Sequence, residues 1–186
     1  MKNLNKRKDR GLSQVISTLM LLVVAILLTT VVVYYATNVT MTRTKIEEVR
    51  LSKEHVWVNE TGAVAGFKLQ NLGGRDILMD KFSVRSVESH WSNIYIYRVP
   101  TGSEIFGDVN VTSYARLTGA WVMIDGNNYT QAVSDVPLVS GGEVIVYVKG
   151  PENISLDDLG TTVSISCTTN NAEYISECNV ESATEQ

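Results

Sequence analysis

The chain has few of the residues that interrupt helices. No glycine or proline lies between Gly11 and Gly62, and only three prolines occur among 186 residues. Because glycine and proline are the residues that most often end a helix, a helix that begins near Gly11 meets no stop signal before Gly62. The sequence therefore predicts one long helix in this part of the chain.

Residues that build catalytic or metal sites are equally scarce. The only histidines, His55 and His90, do not have the spacing of a zinc motif such as HExxH, and no phosphate loop of the GxxxxGK or GxGxxG type occurs. Asp157 and Asp158 lack the other ligands of a calcium loop. Dispersed serine, threonine and aspartate residues do not define a catalytic triad without spatial information. We therefore expect neither an enzyme nor a cofactor or metal site.

Positive charge is scarce outside residues 1–11. These residues hold five of the sixteen lysines and arginines but one of the twenty acids, so the remainder has a net charge of −8. Binding to nucleic acid depends largely on basic side chains that neutralise phosphates. An acidic surface therefore argues against a nucleic-acid partner.

The main positive feature is an apolar run over residues 15–36, interrupted by four serines and threonines. A helix of this length, at about 1.5 Å per residue, spans the roughly 30 Å core of a bilayer. A single segment in hydrocarbon must be helical, because its backbone has to satisfy its own hydrogen bonds. Apolar positions continue more sparsely beyond the run, so we expect one helix over residues 12–54, amphipathic in its second half.

Three interpretations of this segment are open. A cleaved secretory signal has a shorter apolar core, of about 7 to 15 residues, and small residues before its cleavage site. Here the run is longer, and Tyr34 lies three positions before a cut after Ala36. A plain signal anchor would leave the basic N-terminus in the cytoplasm and the remainder outside. In the third interpretation the segment is also a membrane anchor, but the chain is cleaved at Gly11. The topology is the same as that of a plain signal anchor.

Beyond His55 the apolar pattern alternates, and turn residues recur every eight to twelve positions, which is typical of short strands. Strands are expected at 55–59, 64–70, 77–86, 94–99, 120–124, 143–149, 162–168 and 174–180. The turns between them are rich in residues that tolerate a positive φ. The predicted fold class is therefore α+β: a long N-terminal helix followed by an immunoglobulin-like antiparallel sandwich, the head, over residues 55–186.

Aromatic and cysteine side chains in the head have expected places. We expect Trp91, Tyr95, Tyr97 and Trp121 to fill the core or to contact a neighbouring subunit, rather than to form an adhesive patch. Cys167 and Cys178 are an even pair in a chain with an export signal. That favours a disulfide over a metal site, with two unpaired core thiols as the alternative.

The chain is also rich in Asn-X-Ser/Thr sequons without proline, as expected for an exported, glycosylated surface. The candidate sites are Asn38, Asn59, Asn110, Asn128 and Asn153. Asn38 is the least favoured of these, because a close bundle of helices would crowd it.

Two phrases near the N-terminus carry a resemblance to a known family. The sequences KRKDRG at 6–11 and LSQVISTL at 12–19 resemble the class III leader of archaeal type IV pilins and archaellum filament proteins. The resemblance implies that residues 1–11 are a leader peptide and that a prepilin peptidase cuts between Gly11 and Leu12. The fifth residue after this cut is Ile16, where bacterial pilins have glutamate, in agreement with the archaeal branch. FKLQNLG at 67–73 and LDDLGTTV at 156–163 resemble phrases of exported archaeal β-domains, including pilin heads.

The resemblance implies a structural subunit of an archaeal type IV pilus-like surface filament. Its partners would be other copies of itself, the prepilin peptidase and the pilus assembly platform in the membrane. Its location would be the membrane as a precursor and then the extracellular filament. The alternative is an uncleaved single-pass protein whose external β-domain binds a surface layer, a sugar or a partner, as anchoring subunits of the archaellum motor are thought to do.

Overall fold

The computed structural model describes residues 2–103, 105 and 107–183, and their side chains except those of residues 2–12, 43 and 44. The chain divides into two compact units, of which the first ends at Thr44 and the second begins at Lys45. The two units are described separately below.

The first unit is one helix, α1, Lys2–Lys45, of 44 residues. Its serine and threonine hydroxyls donate to backbone carbonyls three or four residues earlier. Thr29 bonds Ala25 O at 2.7 Å and Thr30 bonds Ile26 O at 2.8 Å. Because these bonds stay within the helix, the hydroxyls need no partner outside it. The apolar run thus tolerates its few polar residues.

The helix ends at Lys45, earlier than the predicted end at residue 54. The first strand begins at Val49, and the residues from Val49 onward pair with a second strand that ends at Asn71. Val49 is buried and Arg50 exposed, and the register pairs Val49 with Asn71 and Arg50 with Gln70. Cross-strand pairing and burial override the helical propensity of this stretch. The predicted boundary between residues 54 and 55 is therefore corrected to the residues between Lys45 and Val49.

The second unit, from Lys45 onward, is the head, and its described part contains eleven strands. They are β1 Val49–Asn59, β2 Gly62–Asn71, β3 Ile77–Val84, β4 Val87–Glu88, β5 Ile94–Arg98, β6 Trp121–Ile124, β7 Asn127–Gln131, β8 Val136–Leu138, β9 Glu143–Lys149, β10 Thr162–Thr169 and β11 Glu173–Ser182. Short 3₁₀ turns occur at Trp91–Asn93 and Leu156–Asp158. All eight predicted strands are present, and β4, β7 and β8 are additional.

The strands form one curled sheet rather than a two-sheet sandwich. Their order is β4-β3-β10-β11-β1-β2-β9-β5-β7-β6, and β8 pairs with β3. The junction is the parallel pair of β1 and β11, which runs from Val56 opposite Val180 to Val58 opposite Ser182. The other pairings that the structure describes are antiparallel. The α+β class is confirmed. The head is a single curled sheet and not the predicted immunoglobulin-like sandwich of two sheets.

Both faces of the sheet carry apolar cores. The concave side encloses the main core, in which Phe67 of β2 and Phe82 of β3 meet with ring centroids 5.8 Å apart. Burying a side chain of this size contributes about 1.5–3 kcal/mol, so this core is a major source of the stability of the head. A second core lies on the opposite face of β1, β2, β5 and β9, where Trp57 and Tyr147 pack beneath Val109 and the β6–β7 hairpin.

The three residues between α1 and β1, Ile46 to Glu48, are called the neck, and its backbone is bonded to the head. Glu48 O accepts hydrogen bonds from the N–H groups of Leu72 at 2.8 Å and Gly73 at 3.1 Å, and Ile46 O accepts from Gly74 N–H at 3.3 Å. Gly73 lies so close to the backbone of the neck that a Cβ on this residue would be 2.6 Å from Ile46 O. The neck is therefore a packed part of the head and not a free linker.

A side-chain network adds to these backbone bonds. The Glu47 carboxylate accepts hydrogen bonds from the Thr169 hydroxyl, from Asn171 Nδ2 at 2.6 Å and from Arg75 Nη2 at 3.2 Å. The Glu47 side chain is 8% exposed, so its charge is compensated where water is largely absent. Glu47 thereby ties the neck to the β2–β3 and β10–β11 turns.

Replacing Gly73 with alanine is expected to destabilise the head. The new Cβ would meet two backbone atoms of the neck, Ile46 O at 2.6 Å and Glu48 N at 2.9 Å, which cannot move independently. We expect the free energy of unfolding to fall by about 1–3 kcal/mol. Urea unfolding of the full chain in detergent, followed by tryptophan fluorescence, measures this change. Gly107→Ala is the matched control, because no atom lies within 4 Å of a Cβ there. Equal losses in both variants would contradict the packed neck.

Candidate functional site

Within the described part of the chain, the longest run of exposed apolar side chains belongs to α1. Its segment Ser13–Thr42 is long and apolar enough to cross a membrane or to act as a signal sequence, and its most apolar window has no buried residue. Leu21, Tyr34 and Tyr35 are each 71% exposed. Apolar surfaces of this extent on a soluble monomer mark contact with protein or lipid. This helix surface is therefore the principal candidate for function.

One face of the helix offers close approach to another helix. Ala25 and Thr29 lie one turn apart on the same face and line a shallow groove together with Leu22 and Val33. The Thr29 hydroxyl is already bonded to Ala25 O, so its methyl group remains available for contact. Small residues at this spacing allow the backbones of two membrane helices to approach closely.

The predicted cleavage site lies within the backbone of α1. Gly11 and Leu12 are both helical, and their side chains lie outside the described set. A glycine in a helix interior costs about 1 kcal/mol relative to alanine, so the helix is locally weaker at this position. The processing itself stays a prediction.

The predicted disulfide between Cys167 and Cys178 is wrong, because both thiols are free. In the β10–β11 hairpin Cys167 lies opposite Tyr174, whereas Cys178 lies opposite Val163. The two cysteines are thus offset by four residues along the strands, or about 13 Å. A disulfide requires Cα atoms within about 7 Å, so this register excludes the bond.

Both thiols lie in environments that oppose ionisation. Burial, with smaller effects from Asp80 and Glu47, raises the pKa of Cys167 to about 12. Burial, followed by the nearby Glu54 and Glu181 carboxylates, raises the pKa of Cys178 to about 11. Because the thiolate is the reactive form, the two cysteines are chemically inert in the folded head.

Two of the five sequons have their amide nitrogens engaged. Asn38 lies on α1, and its Nδ2 donates to Tyr34 O at 3.0 Å. Asn153 is half-buried, and its Nδ2 donates to Arg85 O at 3.3 Å. Since a glycan is attached to this nitrogen, a folded chain must break these bonds before modification.

The other three sequons lie on hairpins or loops of the head. Asn59 is the first residue of the β1–β2 turn, where its Oδ1 accepts hydrogen bonds from the backbone and hydroxyl of Thr61. Asn110 and Asn128 are exposed. Asn128 lies opposite Met123 in the β6–β7 hairpin, with its neighbour Tyr129 turned into the second core. Among the sequon asparagines on strands of the head, Asn128 is exposed and Asn59 is half-buried.

The aromatic residues divide between core and surface. As expected, Tyr95 is buried, Trp91 packs against the main core, and Tyr97 packs on Tyr129 with ring centroids 5.4 Å apart. Trp121 is 61% exposed, on the outer face of the β6–β7 hairpin beside Met123, which is 52% exposed. Of the four aromatic residues considered in the sequence analysis, Trp91, Tyr95 and Tyr97 thus pack in cores. Trp121 is exposed and available for an external contact.

The structure gives other roles to the remaining polar residues. His90 is exposed, whereas His55 is partly buried between two carboxylates. Asp158 caps a 3₁₀ turn: hydrogen bonds from Ser155 N–H and then from Arg85 lower the pKa of its carboxyl group. Among the side chains that the structure describes, no group of three or more His, Cys, Asp or Glu residues could hold a metal ion.

A cavity of about 630 Å³ opens at one end of β5 and β9, beside Arg98 and Glu143. Its charged groups already have partners, since Arg98 donates to Pro137 O at 2.6 Å and Glu143 pairs with Lys68 at 2.7 Å. Both charged side chains that line the cavity are thus engaged in contacts within the head.

Comparison of the chain with protein-family models and with curated proteins found no match.

Alkylation is expected to find two free thiols. Because the hairpin register keeps Cys167 and Cys178 apart, iodoacetamide added with denaturant but without reductant should modify both, as measured by intact mass. The folded protein should react far more slowly, since burial suppresses both thiolates. A reduced sample is the control and should give the same mass. Modification only after reduction would contradict the observed register.

Among the sequons, we expect a glycan at Asn128 before Asn153. Asn128 is exposed, whereas the Asn153 amide donates to Arg85 O. In protein isolated from its source cells, Asn128→Gln should lower the mass by one glycan, and Asn153→Gln should leave it unchanged. Glycopeptide mass spectrometry makes the comparison. A glycan at Asn153 with none at Asn128 would show that accessibility in the fold does not select the site.

Proposed function

We propose that the protein is the structural subunit of an archaeal type IV pilus-like surface filament. In this proposal a prepilin peptidase removes residues 1–11 from the membrane precursor. An assembly platform in the membrane then polymerises the processed chains, so that the α1 helices form the filament core with the heads outside. The single observation that carries the proposal is the fully exposed apolar segment Ser13–Thr42 joined directly to a separately folded head.

The physical argument begins with the cost of exposing this helix to water. A 30-residue apolar segment must be covered by lipid or by protein, since water solvates it poorly. Moving it from lipid into a bundle of identical helices changes little hydrophobic free energy, so close packing has to supply the driving force. The groove at Ala25 and Thr29 supports such packing. Copies of the same chain would thus replace lipid around the helix.

The head offers apolar side chains close to where the helix leaves it. Ile46, Leu72 and Val139 are each about half exposed, on three segments that hydrogen bond to one another through the neck and Asn71. These three side chains form an exposed apolar group at the neck of the head. They support contacts between neighbouring subunits at the base of the heads.

One observation favours the alternative of an uncleaved binding module. Trp121 and Met123 present an aromatic and a thioether side chain to solvent on the β6–β7 hairpin, far along the sequence from α1. Exposed tryptophan is enriched at recognition surfaces. In this alternative the helix serves as a membrane anchor, and the head binds a partner through the hairpin.

Replacing Gly11 with valine separates the two functions. If a peptidase cuts after Gly11, the bulky side chain should block cleavage, retain the precursor in the membrane and abolish filaments. Intact mass reports the first residue, and electron microscopy of sheared surface material reports filaments. Leu4→Val, a change within the leader away from the cut, should leave both unchanged. Filaments built from chains that begin at Met1 would refute the processing. Wild-type protein that consists of dispersed monomers beginning at Met1 would support the anchor.

A further inference from the structure

His55 lies between two carboxylates on the face of β1 that carries the second core. Its Nε2 is 3.1 Å from Asp108 Oδ1, and its Nδ1 is 3.3 Å from Glu181 Oε2. Its ring is stacked on Trp57, with centroids 5.3 Å apart and an interplanar angle of 7°. The three charged residues come from β1, β11 and the loop before β6. One imidazole ring therefore connects three separate segments of the head.

This geometry depends on the protonation of the ring. A neutral imidazole has one N–H donor and one nitrogen lone pair, so it can donate to one carboxylate while its lone pair faces the other. The imidazolium ion has two N–H donors and can satisfy both Asp108 and Glu181 with charge-assisted hydrogen bonds. A cation also stacks favourably on the face of an indole ring. The arrangement thus suits the protonated ring on both edges and on its face.

We propose that His55 is a proton-operated clasp. When protonated, it holds residues 107–111, called the cover loop, and β11 against β1. When it loses a proton, it releases one of the two carboxylates. The cover loop includes Val109, which packs in the second core, and Asn110, whose carbonyl accepts a hydrogen bond from the Tyr147 hydroxyl at 2.6 Å. Release of the clasp therefore loosens the covering of the second core.

The groups around His55 determine the pH range. Lys53 occupies a bulge of β1 with a φ of 58°, and its Nζ donates to Ile105 O at 2.8 Å and to Gly107 O. This contact does not involve His55, so it keeps part of the loop attached in either state of the ring. β1 has two neighbouring strands, β11, which carries Glu181, and β2. In β2 the residue opposite His55 is Gly66, which has no titratable side chain. The clasp thus consists of one histidine, two carboxylates and one fixed cation.

The lower end of the pH range in which the clasp can close depends on the charge of Asp108. Partial burial opposes ionisation, but the hydrogen bonds from Val109 N–H and His55 outweigh it and lower the pKa of Asp108. Asp108 therefore keeps its charge in mildly acidic solution. Because only the protonated ring can donate to both carboxylates, the clasp is closed in acidic solution and weakens as the pH rises.

Hydrogen exchange on the full chain in detergent tests the clasp. Amide exchange in the cover loop, corrected for the intrinsic pH dependence of exchange, should be about five- to tenfold faster at about pH 8 than at about pH 5.5. Amides in the β2–β9 pair should show no such change. His55→Gln should exchange rapidly at both pH values, because glutamine cannot present the two donors of an imidazolium ring to both carboxylates.

The chain provides its own control, since His90 is its only other histidine and is exposed. His90→Gln should retain the full pH dependence. Asp108→Asn, which keeps His55, should abolish the pH dependence in the cover loop by removing the carboxylate there. Equal corrected exchange of the wild-type loop at the two pH values would overturn the proposal, even if every variant failed to fold. A pH dependence that survives in His55→Gln would overturn it as well.

Discussion

The rest of the structure depends on the poor solvation of α1 by water. Its apolar segment is exposed on all sides, and its hydroxyls are bonded to its own backbone. The segment therefore presents few polar groups that could hydrogen bond to water. Such a helix cannot contribute to a soluble core and cannot remain uncovered. The head must therefore fold on its own residues, with a main core inside the curled sheet and a second core outside it. The division into two units follows from this constraint.

Local pattern was sufficient to predict the strands but not the point at which the helix gives way to them. All eight predicted strands are present, including β2 and β9, whose apolar side chains are buried on both faces of the sheet. Of the three additional strands, β4 and β8 have only two and three residues, and Val136–Leu138 contains a proline that disguises an edge strand. β7 begins with two asparagines, which are typical of turns. Residues 49–54 have no glycine or proline and form a strand only because β2 lies beside them. Sequence periodicity contains no information about that partner.

Features that depend on register or on distant pairing could not be predicted. Cys167 and Cys178 are close in sequence, but the short β10–β11 turn offsets them by four residues, which excludes a bond that spacing alone favoured. The parallel pair of β1 and β11 joins residues more than 120 positions apart and converts an expected sandwich into one sheet. The sequence gives no sign of the partners of His55, since only the fold brings Asp108 and Glu181 to its two nitrogens.

The placement of β1 has a mechanical consequence. Any tension carried along α1 enters the head through the neck and then along β1, which lies between β2 and β11 near the middle of the sheet. A pull along the axis of an interior strand loads its hydrogen bonds in shear, so many must break together, whereas peeling a terminal strand breaks them one at a time. The bonds from Leu72 and Gly73 to Glu48 share this load at the entry point. Extension of the head from the neck is thus opposed by many hydrogen bonds at once.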